Sequence, residues 1–377
     1  MLFRSLLPIW QTEFALGYAA IGILRALYAG VMAGLQVPVA RLAQRIGGAT
    51  MLAVGTAGAA AAYLFLGVSS SVAILAAALI LGGIGSSTQH PIASNLVATA
   101  YQGPRSRGAL GTYNFAGDLG KMALPSITAG LIAVMSWRSA ASTVGMIGLI
   151  GAVVIGLLLR HMPLASADRT DVPSASVKTH EDANRPHGGF RLLLAIGILD
   201  SATRMGLLTF LPFLLRAKGA EVPQIGIALT LLFAGGAAGK LVCGFLGARL
   251  GMLPTVLITE GATAAGIVAL LPLPIGAALG LLPIIGVALN GTSSVLYGTV
   301  PDLAPPERRS HAFGVFYTGT IGAGALSPAL YGLFGDAVGI PAAMLFVAGV
   351  VLLTLPLAWQ LQRILSAAGA GLVSHAV

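Results

Sequence analysis

The chain is a succession of apolar runs of about twenty residues, separated by short segments rich in Gly, Pro and Ser. At a rise of about 1.5 Å per residue, a helix of that length crosses the ~30 Å hydrocarbon core of a bilayer. Eleven such runs fall at about 15–38, 49–68, 72–98, 109–135, 139–160, 190–215, 223–246, 251–271, 274–298, 312–334 and 339–361. A shorter apolar piece, Leu2 to Trp10, precedes them. As a helix it would rise only about 14 Å. The expectation is a first spanning helix that is truncated, or whose remainder is encoded upstream of Met1. One stretch breaks the pattern. Residues 161–189 hold Asp168, Arg169, Asp171, Lys178, Glu181, Asp182 and Arg185 with few large apolar residues. It reads as a polar linker between an N-terminal bundle, 1–160, and a C-terminal bundle, 190–377.

The two parts resemble each other. At an offset of 204, Leu7-Pro8 falls on Leu211-Pro212, Ile21-Gly22-Ile23 on Ile225-Gly226-Ile227, and Leu42, Arg45 and Gly47 on Leu246, Arg249 and Gly251. At 203, Arg105, Ala109, Gly111 and Pro125 fall on Arg308, Ala312, Gly314 and Pro328. Several matches at nearly one offset imply a duplicated unit of six helices. The expected fold is therefore all-α and membrane-embedded: two pseudo-symmetric six-helix bundles, twelve spanning helices, the first incomplete.

Composition narrows the function. The chain is 56% hydrophobic and 9% charged, whereas soluble domains carry about 25% charged residues. A soluble fold has no way to hide that much apolar surface. The 51 glycines suit helices that approach closely in lipid. The net charge of +9 would point to nucleic acid in a soluble protein, but here the basic residues sit mostly in short loops. Placing the loop at Arg41 and Arg45 in the cytoplasm puts fourteen Lys and Arg inside and only Arg138, Arg216 and Lys218 outside. That bias predicts a cytoplasmic linker and C-terminus, and a bacterial inner membrane as the site. The single cysteine, Cys243, excludes a disulfide framework and a Cys-rich metal site. No cleavable signal pattern and no G-x-x-x-x-G-K-[ST] phosphate loop is present, which argues against direct ATP drive. No cofactor or metal is expected, and no nucleic-acid partner.

The segment Ala40-Arg41-Leu42-Ala43-Gln44-Arg45-Ile46-Gly47-Gly48 resembles the G-x-L-A-D-R-x-G-R loop of the major facilitator superfamily, and Gly244-Phe245-Leu246-Gly247-Ala248-Arg249-Leu250-Gly251 repeats it in the second half. Gln44 stands where the family has an acid. His90-Pro91-Ile92-Ala93-Ser94 resembles the His-Pro-x-Ala-Ser segment of fosmidomycin-resistance-type exporters, with Gly111 to Gly117 and Pro125 a looser fit. The G-P-x-x-G-G motif of drug/proton antiporters is absent from the fifth helix. The resemblance implies alternating access, usually by a monomer, with helices one, four, seven and ten around the path. Export follows from the exporter resemblance alone.

Ionisable groups inside spans cost about 2.5–3.5 kcal/mol each at mid-membrane and usually face water or a partner. Asp118 and Lys121 lie at i and i+3, on one helical face; either they bind substrate or couple protons, or they form a structural pair. Asp200 and Arg204, at i and i+4, either face the path or form an intrahelical ion pair. His90 stands beside Pro91 among Ser86, Ser87, Thr88 and Gln89, where a helix break is expected. Arg25 either holds an anion, snorkels outward or pairs with Asp118. Asn290 and Gln36 either line the path or join helices, and Glu260 reads as structural. Arg41, Arg45, Lys240 and Arg249 are candidate gating residues or plain topology signals. The leading function is secondary transport of a small organic solute, proton-coupled, with cations favouring an anionic or zwitterionic substrate. The alternative is a transport-inactive membrane sensor or assembly partner. A membrane enzyme fits poorly, because the loops are short and poor in acids.

Overall fold

A computed structural model describes residues 2–100, 104–161, 187–303 and 309–374. Every regular element among them is helical. A 3₁₀ turn, Leu2–Leu6, leads into α1 (Leu7–Glu13). Then follow α2 (Tyr18–Ile46), α3 (Gly48–Gly67), α4 (Val72–Ser86), α5 (Gln89–Ala100), α6 (Pro104–Val134) and α7 (Trp137–His161). The second half contains α8 (His187–Ala217), α9 (Val222–Leu250), α10 (Met252–Leu270), α11 (Ile275–Leu303), α12 (Arg309–Val338), α13 (Ile340–Leu352) and α14 (Thr354–Ser374). Of the expected linker 161–189, residues 162–186 lie outside the described residues.

Among the described residues nine spans are long and apolar enough to cross a membrane, α4 with α5 and α13 with α14 each making one. Helices α6 and α12, of 31 and 30 residues, are also long enough, but α6 carries Asp118 and Lys121. Helix α2 runs to Ile46, past the apolar run that ends near 38. Apolarity marks only the part of a helix in hydrocarbon; the polar remainder stays helical beyond it.

The expected break at His90-Pro91 is present, between α4 and α5. Pro91 has no N–H for the Ser87 carbonyl. The hydroxyls of Ser87 and Thr88 turn back instead, donating to the Ile84 and Gly85 carbonyls at 2.6 and 3.0 Å. Pro356 acts similarly near Leu353, where α13 gives way to α14.

The duplication is written in the helix boundaries. Helices α2 and α9 begin and end 204 residues apart, and α3 and α10 begin 204 apart. Gly47 and Gly251 occupy the joints at φ +92° and +83°, where a Cβ would be strained. Their N–H groups donate to the Ala43 and Gly247 carbonyls at 2.9 and 3.0 Å. The repeated glycine of the loop motif is thus a helix-terminating residue. Arg45 and Arg249 stand in the last turns before it, where a cation complements the helix dipole.

The chain packs as two compact units: Met1–Ala26 and Lys121–Ala129 with Ala183–Val377, and Leu27–Gly120 with Gly130–Asp182. In the second unit α3 packs on α4 and α7. Val39, Met51, Leu52 and Ile92 are buried at its centre. Helix α7 leaves Ile147, Ile150, Val153, Leu157 and Leu158 exposed, an apolar face that suits lipid and not water.

In the first unit α8 packs on α12, α9 on α11, and α10 on α11, α13 and α14. Leu6, Leu7 and Trp10 are buried where the N-terminal turn and α1 meet α8. The start of α2 meets the end of α12. Asp336 accepts the N–H groups of Tyr18 and Ala19 at 2.6 and 2.9 Å, so a carboxylate from one helix caps another. A Cβ added at Gly22 would strike the Pro328 carbonyl and Ala329, and one at Gly332 would strike Tyr18 and Ala19. At the repeat-related place Gly226 of α9 abuts Pro125, Ser126 and Ala129 of α6. There Thr230 donates to the Met122 carbonyl at 2.6 Å and bonds the Ser126 hydroxyl at 2.7 Å. Asp336→Ala is expected to destabilise the protein by about 1 kcal/mol, the usual worth of a helix cap. Hydrogen exchange at Tyr18 and Ala19 checks this; unchanged protection there would show that the cap contributes nothing.

Candidate functional site

Charged side chains inside a membrane protein mark its working parts, and the first unit gathers two groups of them. The first group is cationic. Arg4, in the N-terminal turn, is 0% exposed and Arg25, in α2, is 7% exposed. Both guanidinium groups donate to one sulfur, Met205 Sδ of α8, at 3.6 and 3.7 Å. Arg4 also lies over the Phe233 ring, 5.6 Å from its centroid, a favourable cation–π placement. Arg25 therefore points into the protein and does not snorkel outward. Two planar forks brought to one point can bind carboxylate or phosphate oxygens in pairs.

The second group lies in α8, α10 and α11. Asp200 and Arg204 form the i, i+4 ion pair, Nη2 to Oδ2, at 3.2 Å. Asp200 is 3% exposed and Glu260 of α10 is 2% exposed. Glu260 follows Thr259 on α10, and its Oε1 is buried with no hydrogen-bond partner among the described residues. Thr292 donates to Thr259 at 2.7 Å, and Thr259 donates to the Thr255 carbonyl at 2.8 Å. A narrow crevice beside the ion pair is lined by Gly197, Asp200, Arg204, Ser293, Tyr297 and Thr320, among others.

The other sequence candidates are more dispersed. Asp118 and Lys121 are half-buried on α6, and both are engaged in polar interactions. His90 stands in α5, and its side chain lies outside the described residues. Its neighbour Gln89 is fixed on both sides: its amide donates to Thr56 at 2.9 Å, and its carbonyl accepts from Tyr113 of α6 at 3.3 Å. Asn290 donates to the Gly286 carbonyl at 3.3 Å and presses on Gly236 of α9, so it serves the α9–α11 contact. Gln36 is half-buried; Arg41, Arg45, Lys240 and Arg249 are exposed.

Sequence reasoning gave Arg4 no role and read Glu260 as structural. Thr255, Thr259 and Thr263 recur every four residues on an otherwise apolar helix, which puts a polar stripe beside the acid.

Known proteins place the whole. The sequence model of the Major Facilitator Superfamily matches residues 1–191 and 193–366. A probable L-galactonate transporter of Escherichia coli strain K12 is 25% identical over 251 residues, 63% of this chain and 55% of that protein. The chain thus spans little more than half the length of that relative. Among solved structures, a bacterial homologue of the human lysosomal transporter Spinster, in an inward-facing and occupied conformation, superposes with a TM-score of 0.79 at 18% identity, covering 97% of this chain and 94% of that one. The nucleoside transporter NupG superposes with a TM-score of 0.76 at 14% identity, covering 96% and 94%. Family, fold and apolar helices agree: the chain is a multi-pass integral membrane protein that belongs to the major facilitator superfamily, a family of transporters and not of enzymes.

Proposed function

We propose that this chain is a secondary active transporter of a small organic anion, working by alternating access, with Arg4 and Arg25 as the groups that receive the anion. The observation that carries the reading is the convergence of two buried guanidinium groups on Met205 Sδ. Two planar guanidinium forks that meet at one point suit the paired oxygens of an anionic solute. The distant relationship to a probable galactonate transporter supports a sugar-acid type of anion. The excess of Lys and Arg on one side supports a cytoplasmic linker and C-terminus. The likeness of His90 to Ser94 to an exporter segment supports movement outward. Asp118, Lys121 and His90 are the candidate coupling groups of the first half.

The test is transport by the full chain in proteoliposomes, with galactonate and a neutral nucleoside as probes and imposed solute or proton gradients. Galactonate is expected to accumulate and the nucleoside is not. Accumulation of the nucleoside alone would remove the anion reading. Galactonate binding without movement under any gradient would mark a sensor that keeps the fold.

A further inference from the structure

We propose that Met205 is a modification site: hydrogen peroxide, or a like two-electron oxidant, converts its thioether to the sulfoxide, and the new oxygen closes the anion site by occupying Arg4 and Arg25. Met205 of α8 is half-buried. Its Sδ accepts from Arg4 Nη2 at 3.6 Å and from Arg25 Nη2 at 3.7 Å. A thioether is a weak acceptor, yet here it stands where two cationic donors meet. Neighbouring helices fix the arrangement. A Cβ added at Gly324 of α12 would stand 3.0 Å from Met205 Cγ, so α12 lies close against the side chain. Arg4 in turn rests on the Phe233 ring of α9, 5.6 Å from its centroid.

In the oxidation step the sulfur lone pair attacks one oxygen of the peroxide and the O–O bond breaks. Sulfur is oxidised by two electrons to the sulfoxide. The peroxide is reduced to water, and both of its hydrogens leave in that water. The guanidinium groups can donate to the hydroxide as it departs. They also single out the product. A sulfoxide is polar where the thioether is apolar, and its negative end is the oxygen. One bond length beyond sulfur, that oxygen reaches the two donors within the ordinary N–H···O range of about 2.7–3.2 Å, and both bonds are charge-assisted. Met135 shows the contrast: its Sδ accepts from a neutral donor, the Thr143 hydroxyl, at 3.9 Å. The sulfoxide is therefore the form of Met205 that best satisfies the forks, and a solute carboxylate must displace it to bind.

Closure of the site rests on the anion reading above; oxidation of Met205 does not. The deciding experiment treats the purified full chain with hydrogen peroxide, reads each methionine by peptide mass spectrometry, and measures galactonate binding before and after. Met146, 53% exposed on α7, reports that the reagent has acted. Wild type is expected to gain one oxygen at Met205 and to lose galactonate affinity by roughly 10- to 150-fold, the worth of a hydrogen bond to a charged group. Met205→Leu conserves side-chain volume and has no sulfur, so whatever affinity it shows before peroxide it keeps afterwards. Met205→Gln carries an amide oxygen on a chain of similar length and should bind as weakly as the oxidised wild type with no peroxide added. Oxidation of Met146 with Met205 untouched overturns the proposal. Equal loss of affinity in Met205→Leu does so too, because it places the effect at another methionine. A Met205 sulfoxide that binds galactonate as before, while Arg25→Met does not bind it, sinks the closure and leaves the anion reading standing. A wild type that binds no galactonate before peroxide removes the anion reading, and the closure with it.

Discussion

Gly22→Ala should shift the protein toward a form in which the start of α2 has parted from α12. The added methyl would collide with the Pro328 carbonyl and would stand 2.6 Å from Ala329 Cα. Both obstacles are backbone, so no side-chain rotation relieves the clash. Overpacking of this kind costs about 1–3 kcal/mol, and that cost falls only on the packed arrangement. In an alternating-access cycle it converts to a population shift of about 5- to 150-fold. Gly226→Ala should act in the same direction more weakly, because its main obstacle is the Ala129 side chain. Spin labels at the exposed positions Ile23 and Leu330 measure the separation directly, and the single cysteine, Cys243, makes labelling simple once replaced. An unchanged distance distribution in Gly22→Ala would mean that the seam does not move.

The ease with which this fold is read, and the difficulty of its site, have one physical origin. Lipid imposes length and apolarity on each span separately, so every run from 15–38 to 339–361 could be found one at a time. Duplication then fixed the joints, since Gly47 and Gly251 end their helices for the same backbone reason. The site obeys no such local rule. Asp200, Glu260 and Thr292 belong to three helices, and Thr292 meets Thr259 only through packing. Arg4 and Arg25 meet at Met205, some 200 residues away in sequence. Of these contacts, the one set by helical spacing, Asp200 with Arg204, was visible beforehand. Asn290 shows the converse: the sequence left it as a path-lining group or a helix-joining one, and the fold sets it against Gly236 of α9. Polar residues in a span announce that something must satisfy them, but not what does.

Arg25→Met should abolish most galactonate transport while leaving the protein as stable as before, and Arg4→Met should do the same. A hydrogen bond to a charged group contributes about 1.5–3 kcal/mol, so losing one such contact lowers uptake at limiting solute by roughly 10- to 150-fold. Arg25→Lys should recover little, because a point charge does not reproduce the planar fork. Stability is the discriminating measurement. In the anion-receptor reading the guanidinium group acts on the solute, so replacing it by an apolar chain of similar length leaves the fold in place. The melting temperature then stays level. Were the arginines structural, each locked into a buried ion pair, removing one would leave its partner charged and buried at a cost of about 3–5 kcal/mol. Transport and stability would then fall together. Arg191→Gln, at an exposed position, is the control that should change neither. A variant that melts early and transports poorly would therefore sink the receptor reading; one that melts normally and fails only in transport supports it.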